Sequence, residues 1–386
     1  MKSVRGILLT GGLMLGLYSL HPAQAATAKP VALPAFNIDR AQTSVSGLSS
    51  GAYMAVQMQV AYSASINGAG IVAGGPYHCM AKADNLPLLR LDEKLQTTAN
   101  CMMVKDLDAG LKTYHGKTPP DVPALVTAAK AAEKRGLIDP LKNLKNRRIY
   151  IFSGTRDETV GPQAVAATKD FFIQAGADGK DNIRFVNDVA AGHAFITPNY
   201  GNACGVPSQP PYISKCGYDQ AGQILRHIYG EPKPAKAAHA GKPGRLVAFS
   251  QVPFAKAATD RAMESTALDT AYLAETGYLY VPPACDANET CKVHVVFHGC
   301  HQGAEMDKDN HFVLHTGYNE WADQYNVVLL YPQASMGAIK NPNLNTSNPK
   351  GCWDWFGYTN ADYAYKNGYQ MKAVKGMIDA LAKSNL

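Results

Sequence analysis

The sequence has no C-x-x-C pair, no internal repeat and, beyond its first twenty residues, no apolar run long enough to cross a bilayer. Each absence removes a class of protein. Without cysteine pairs at zinc-knuckle spacing, a structural metal site is disfavoured. Without self-similarity at a period of about 20–50 residues, solenoids and propellers are excluded. Without a second long apolar stretch, the mature chain is expected to carry no membrane span. Charge is thin as well. Charged residues make up 18% of the chain, and the formal net charge of +6 comes from lysines that are spread out rather than gathered in a stripe. Nucleic acid is therefore not an expected partner.

What is present begins at the N-terminus. Lys2 and Arg5 precede an uncharged apolar run from Gly6 to Leu20, and Ala23-Gln24-Ala25 supplies a small-x-small pattern. This predicts a secretory signal over residues 1–25, removed near Ala25, and delivery to a periplasm or to the outside of the cell. Its loss takes two basic and no acidic residues, lowering the charge from +6 to +4. All 8 cysteines lie in the remainder, an even count that reads as disulfides in an exported chain. Eight cysteines allow about 105 pairings. Proximity in the sequence points to Cys79–Cys101, Cys204–Cys216, Cys285–Cys291 and Cys300–Cys352.

Strands are expected at Thr43–Val45, Ala69–Ala73, Arg148–Phe152, Ile183–Val186, Gly277–Val281, Val293–Phe297 and Val327–Tyr331, with helices over Ala52–Ala64 and Gln370–Leu381. Strands alternating with helical stretches predict an α/β fold with a mostly parallel central sheet flanked by helices. Pro232, Pro234 and Pro243, set among Lys, Ala and Gly, make residues 230–244 an exposed connector inside one catalytic domain spanning 26–386.

Gly47-Leu48-Ser49-Ser50-Gly51 matches G-x-S-x-G between a strand and a helix. A serine nucleophile needs that sharp turn to expose its hydroxyl, and the glycines allow close backbone approach. Serine also needs a base, and the base an orienting acid. Asp157 follows a strong strand in a Gly-Thr-Arg-Asp turn, and His193 lies in the loop Ala190–Phe195 after the next one. Asp157 could instead be a turn or capping residue, with Glu158 and Asp188 as alternative acids, and His193 a satisfied loop histidine. Two backbone N–H groups should form the oxyanion hole, one from Ser50 after the nucleophile. No HGGG-type motif precedes Ser49. An apolar strand running into His298-Gly299-Cys300 occurs downstream instead, which makes the Cys300 N–H the second candidate donor. A metal site on His294, His298 and His301 is the competing reading, weakened by the lack of a nearby acidic ligand.

The parts fall into the usual α/β-hydrolase order if residues 277–386 are read first and 40–230 second, as in a circular permutation joined at the 230–244 connector. With Gly47–Gly51, Gly154–Asp157, Gly192-His193, Val295–Gln302, Tyr331-Pro332-Gln333 and Asn348–Trp355, the chain resembles the extracellular poly(3-hydroxybutyrate) depolymerases of the single-domain, permuted type. The resemblance implies hydrolysis of short-chain polyhydroxyalkanoates by a Ser49–His193–Asp157 triad, with no metal or organic cofactor and a polyester or oligoester as partner. Many relatives append a linker and a polymer-binding domain, and their lack here would weaken attack on crystalline granules. Trp353, Trp355 and Tyr358 suit a polymer-binding platform, with one tryptophan expected exposed and the other buried. Two rivals remain: a feruloyl, acetyl or small-ester esterase with the same triad, and an inert polymer-binding protein.

Overall fold

The computed structural model describes residues 29–82, 91–109, 111–232, 239, 241–337 and 348–382. The expected signal segment and its cleavage site lie outside the described residues, as does part of the 230–244 connector. The central sheet has eight strands: β1 (Ile38–Leu48), β2 (Ile66–Val72), β3 (Arg148–Phe152), β4 (Ile183–Val186), β5 (Arg245–Ser250), β6 (Thr276–Val281), β7 (Cys291–Phe297) and β8 (Val327–Tyr331). Their spatial order is β5-β6-β8-β7-β1-β2-β3-β4. β6 runs antiparallel to both β5 and β8, and all other neighbours are parallel. Parallel strands need both faces covered, which explains why every residue of β8 and all of β7 except Lys292 are buried.

β1 begins earlier and ends later than the expected Thr43–Val45. It sits at the centre of the sheet, bonded to β7 on one edge and β2 on the other. Pairing on both edges carries the strand on through Ser46, Gly47 and Leu48, beyond the point where the Gly-rich turn was expected to begin. The sheet edge next to Thr276–Val281 is β5, a strand the sequence reading missed. Its run Leu246–Phe249 directly follows the Pro/Gly-rich connector, which obscured it. Among the described residues no helix is long and apolar enough to cross a membrane. The four disulfides are Cys79–Cys101, Cys204–Cys216, Cys285–Cys291 and Cys300–Cys352, the pairings expected from neighbouring positions.

Two of the three histidines considered as metal ligands are buried structural groups. Ser44 lies opposite His294 in the β1–β7 register. Its hydroxyl meets His294 Nδ1 at 2.5 Å, and Ser46 meets Nε2 at 2.7 Å. Tyr229 and Tyr318 extend the chain of bonds at 2.6 Å on either side. His298 accepts from the Ala334 N–H at Nε2 (3.1 Å), so its Nδ1 carries the proton donated to the Gly299 carbonyl (2.7 Å). His301 stacks against Tyr212 instead. Among the described residues no group of three or more His, Cys, Asp or Glu is arranged to hold a metal.

Burial holds the imidazoles of His294 and His298 neutral, pushing their pKa values down to about 3 and about 4. An unfolded histidine takes up a proton near pH ~6.5. Below that pH the unfolded chain binds more protons, so stability falls with acid until the folded-state values are reached. Each histidine should contribute up to about 1.4 kcal/mol per pH unit between roughly pH 6.5 and 4. Urea unfolding at pH 7, 6 and 5 should show this decline, and His294→Asn should make it shallower. An unchanged slope in the variant would remove His294 as a source.

Candidate active site

The first helix, α1 (Ser50–Ala61), starts within one residue of the end of β1. The link is Ser49, with φ 56° and ψ −123°. A non-glycine residue in the left-handed half of backbone space costs on the order of 1–3 kcal/mol and persists only where its surroundings enforce it. Here they do. The Ser49 N–H donates to Val72 O of β2 at 2.9 Å, and its carbonyl accepts from Ala52 and Tyr53. A Cβ at Gly47 would lie 2.3 Å from the Gly51 backbone, and one at Gly51 would lie 2.3 Å from the Phe297 carbonyl. Both glycines are therefore fixed by close approach, and α1 packs directly on the end of β7.

His193 and Asp157 are brought together by two loops zipped along their backbones. Thr155 N–H donates to Val189 O at 2.9 Å and Arg156 N–H to Ala191 O at 3.0 Å. Asp157, only 4% exposed, accepts from His193 Nδ1 at 2.8 Å and, through its other oxygen, from the Thr159 and Val160 N–H groups at 2.9 Å. A carboxylate is an acceptor only, so Nδ1 carries the proton and Nε2 keeps the lone pair. The alternative acids face solvent. Glu158 is an exposed partner of Lys105, and Asp188 is exposed. Ser49 and His193 line the same cleft, of about 780 Å³. The arrangement can draw a proton from a serine hydroxyl into an imidazole whose tautomer and orientation are set from behind.

The loop after β7 is braced from several sides. Gly299 N–H donates to Gln302 Oε1 at 2.8 Å, while Gln302 Nε2 donates to the Pro211 carbonyl at 3.0 Å. Cys300 is bonded to Cys352, and the next residue, Trp353, donates its N–H to Ser50 Oγ at 3.2 Å. The dipeptide Cys352-Trp353 thus tethers both residues expected to supply oxyanion donors. Gln302, Tyr212 and Asn348 also line the cleft; the sequence reading gave none of them a role, although Gln302 and Asn348 end two of the matching segments. Gln302 stands two residues beyond Cys300 and could have been found by asking what holds that loop.

The expected pair of one exposed and one buried tryptophan is not observed. Trp353 is 0% and Trp355 6% exposed. Trp353 packs on Phe297 and His298, and Tyr358 is buried with its hydroxyl on Cys352 O at 2.6 Å, so both serve the core. A segment bonded to the loop after β7 and to α1 is drawn inward with them. Trp355 alone of the three lines the cleft, stacked on Tyr53 with centroids 4.3 Å apart.

No family model matches the chain. It is 37% identical over 373 residues to a polyhydroxybutyrate depolymerase of Talaromyces funiculosus, covering 94% of this chain and 95% of that one. The chain belongs to the polyhydroxybutyrate depolymerase family. It is also 39% identical over 375 residues to a poly(3-hydroxybutyrate) depolymerase of Delftia acidovorans, covering 96% of this chain but only 64% of that relative's length. The crystal structure of the depolymerase from Penicillium funiculosum superposes with a TM-score of 0.73 at 34% identity, over 91% of this chain and 98% of that one. A serine-to-alanine depolymerase complexed with an R3HB trimer superposes with a TM-score of 0.72, at the same identity and coverage. The fold is that of the α/β-hydrolases.

Two expectations follow for this family member. Gly51→Ala should destabilise the protein by at least about 2 kcal/mol, because the new methyl meets backbone that cannot yield cheaply; thermal unfolding checks this. Asp157→Asn should reduce kcat for ester hydrolysis by about 10⁴ through the wrong imidazole tautomer, while Glu158→Gln stays within about fivefold because an exposed ion pair is worth little. Steady-state kinetics on a soluble ester distinguishes them. The reverse ranking would transfer the acid role to Glu158.

Proposed function

We propose that this chain is an exported serine esterase that hydrolyses poly(3-hydroxybutyrate), or related short-chain polyhydroxyalkanoate polyester and oligomers, to 3-hydroxy acids. The observation that carries the chemistry is one cleft holding Ser49 at a strained elbow and His193 bonded to a buried Asp157. In this reading His193 Nε2 takes the hydroxyl proton as Ser49 Oγ attacks the ester carbonyl. The tetrahedral oxyanion rests on the N–H groups of Ser50 and Cys300. The same imidazole then protonates the departing hydroxyl of the next unit, and water releases the acyl group by the reverse proton path.

The substrate assignment draws on the relatives. Two curated relatives carry the name of polyhydroxybutyrate depolymerase, and a structural neighbour is complexed with an R3HB trimer. Those names favour a hydroxyalkanoate over a feruloyl or acetyl ester, for which the triad alone would serve equally. Trp355 supports a flat apolar contact for such a chain. Four disulfides support export. The sheet order, in which β5 to β8 occupy the side of β1 opposite β2, supports the reading of the chain as a circular permutation. It is equally compatible with one catalytic domain over 26–386.

The test uses purified mature protein with amorphous poly(3-hydroxybutyrate) and with soluble 3-hydroxybutyrate oligomers, the released acids being measured by chromatography. Wild type should release 3-hydroxybutyrate or its short oligomers and take up a fluorophosphonate label. Ser49→Ala should do neither. Full activity in Ser49→Ala would end the nucleophile assignment; labelling without polyester cleavage would move the substrate to another ester.

A further inference from the structure

One wall of the cleft is built from a segment that the triad chemistry does not require. Helix α2 (Leu91–Met102) and a small hairpin of Leu107–Ala109 with Lys112–Tyr114 enclose a hydrophobic cluster of their own, centred on Ala99, Val104 and Tyr114. Leu95, Met102 and Leu107 pack on that cluster but are only half-buried, and all three line the cavity that holds Ser49 and His193. These three side chains are aliphatic and thioether; the same segment adds Thr98, Lys105, Asp106 and Asp108 to the lining around them.

The segment is bolted to the catalytic elements. Tyr53, in the first turn of α1, donates its hydroxyl to the Cys101 carbonyl at 2.9 Å, and Cys101 is cross-linked to Cys79. The Met102 carbonyl accepts from Gly161 N–H at 2.8 Å, and Lys105 N–H donates to Glu158 O at 3.0 Å, just beyond the acid Asp157. The charge of Lys105 is taken up by the Glu158 carboxylate at 3.1 Å, both of them out in solvent. An apolar surface is thus held at fixed distance from both the nucleophile helix and the acid loop. A fixed apolar wall discriminates by volume: each methylene gained or lost against it is worth about 10–200-fold.

We propose that Leu95, Met102 and Leu107 form the wall against which the alkyl substituent of the hydroxyacyl unit is measured, so that this segment sets the preference for a methyl branch over longer ones. The inference rests on the function proposed above. A hydroxyalkanoate chain is uncharged, its ester oxygens only accept hydrogen bonds, and its alkyl branch is the part whose size varies and that matches the aliphatic side chains of Leu95, Met102 and Leu107.

The experiment compares wild type with Leu95→Ala/Met102→Ala on soluble oligomers of (R)-3-hydroxybutyrate and (R)-3-hydroxyhexanoate. The double variant should raise the hexanoate-to-butyrate ratio of kcat/KM by about tenfold or more, while Ser49 still labels fully with a fluorophosphonate. Leu95→Phe, which empties no space and serves if the alanine variant does not fold, should lower the same ratio by about tenfold. Wild type that cleaves the butyrate oligomer, with folded variants showing an unchanged ratio, overturns the wall alone. Wild type that cleaves neither oligomer overturns the proposed function and this inference with it.

Discussion

The arrangement depends on one backbone constraint, a strand that must turn into a helix within a single residue. Ser49 occupies a backbone region that a side-chain-bearing residue avoids, and local propensity does nothing to hold it there. The hold comes from β2, which takes the Ser49 N–H, and from the contact of Gly51 with the end of β7. The elbow can exist only where three parallel strands end together. That in turn places the loop after β7 beside the serine, so the same packing that enforces the strain also delivers the candidate oxyanion donors.

Behind the elbow, the polar groups that position the base and the loop after β7 are buried together with their partners. His294 sits between two serine hydroxyls, Asp157 receives the imidazole and two backbone N–H groups, and Gln302 bridges two loops. An unpartnered group in these positions would cost on the order of 1–3 kcal/mol each. The contrast between Asp157 and Glu158 follows from this. Adjacent in sequence, they differ in that one carboxylate has three donors waiting in the interior and the other has only an exposed lysine. The environment, not the residue type, decides which of them can orient a base.

This also explains what could be read in the residues alone. The elbow, the Asp157 turn, the His193 loop and the His298-Gly299-Cys300 run are local patterns, each a few residues long, because each is a tight turn with a strict steric requirement. The cysteine pairs were legible for a similar reason: each half lies near the other along the chain or flanks a recognised loop. The edge strand Arg245–Ser250 was missed because a Pro/Gly-rich connector precedes it, and only its antiparallel partner makes it a strand. That neither tryptophan is exposed and that Tyr358 is buried was missed because burial here depends on a tertiary tether, the Cys300–Cys352 bond together with the Trp353–Ser50 contact, which pulls an aromatic segment inward. Aromatic composition says that a surface could be apolar; it does not say which way the surface faces.

The cleft combines two demands that oppose each other. Proton transfer needs buried, partnered polar groups, and the candidates lie in the turns and loops after β1, β3, β4 and β7. A neutral polyester offers few polar handles, so its affinity must come from apolar contact, at roughly 25 cal/mol per Å² removed from water. The two surfaces are drawn from different parts of the chain: the polar machinery from the sheet ends, and much of the apolar lining from α2 and its hairpin, which keep a small core of their own. Because the second is joined to the first by a few backbone bonds and one disulfide, its side chains can change in size without disturbing the sheet ends. A scaffold organised in this way can hold its chemistry constant while the shape of the acid it releases is set elsewhere.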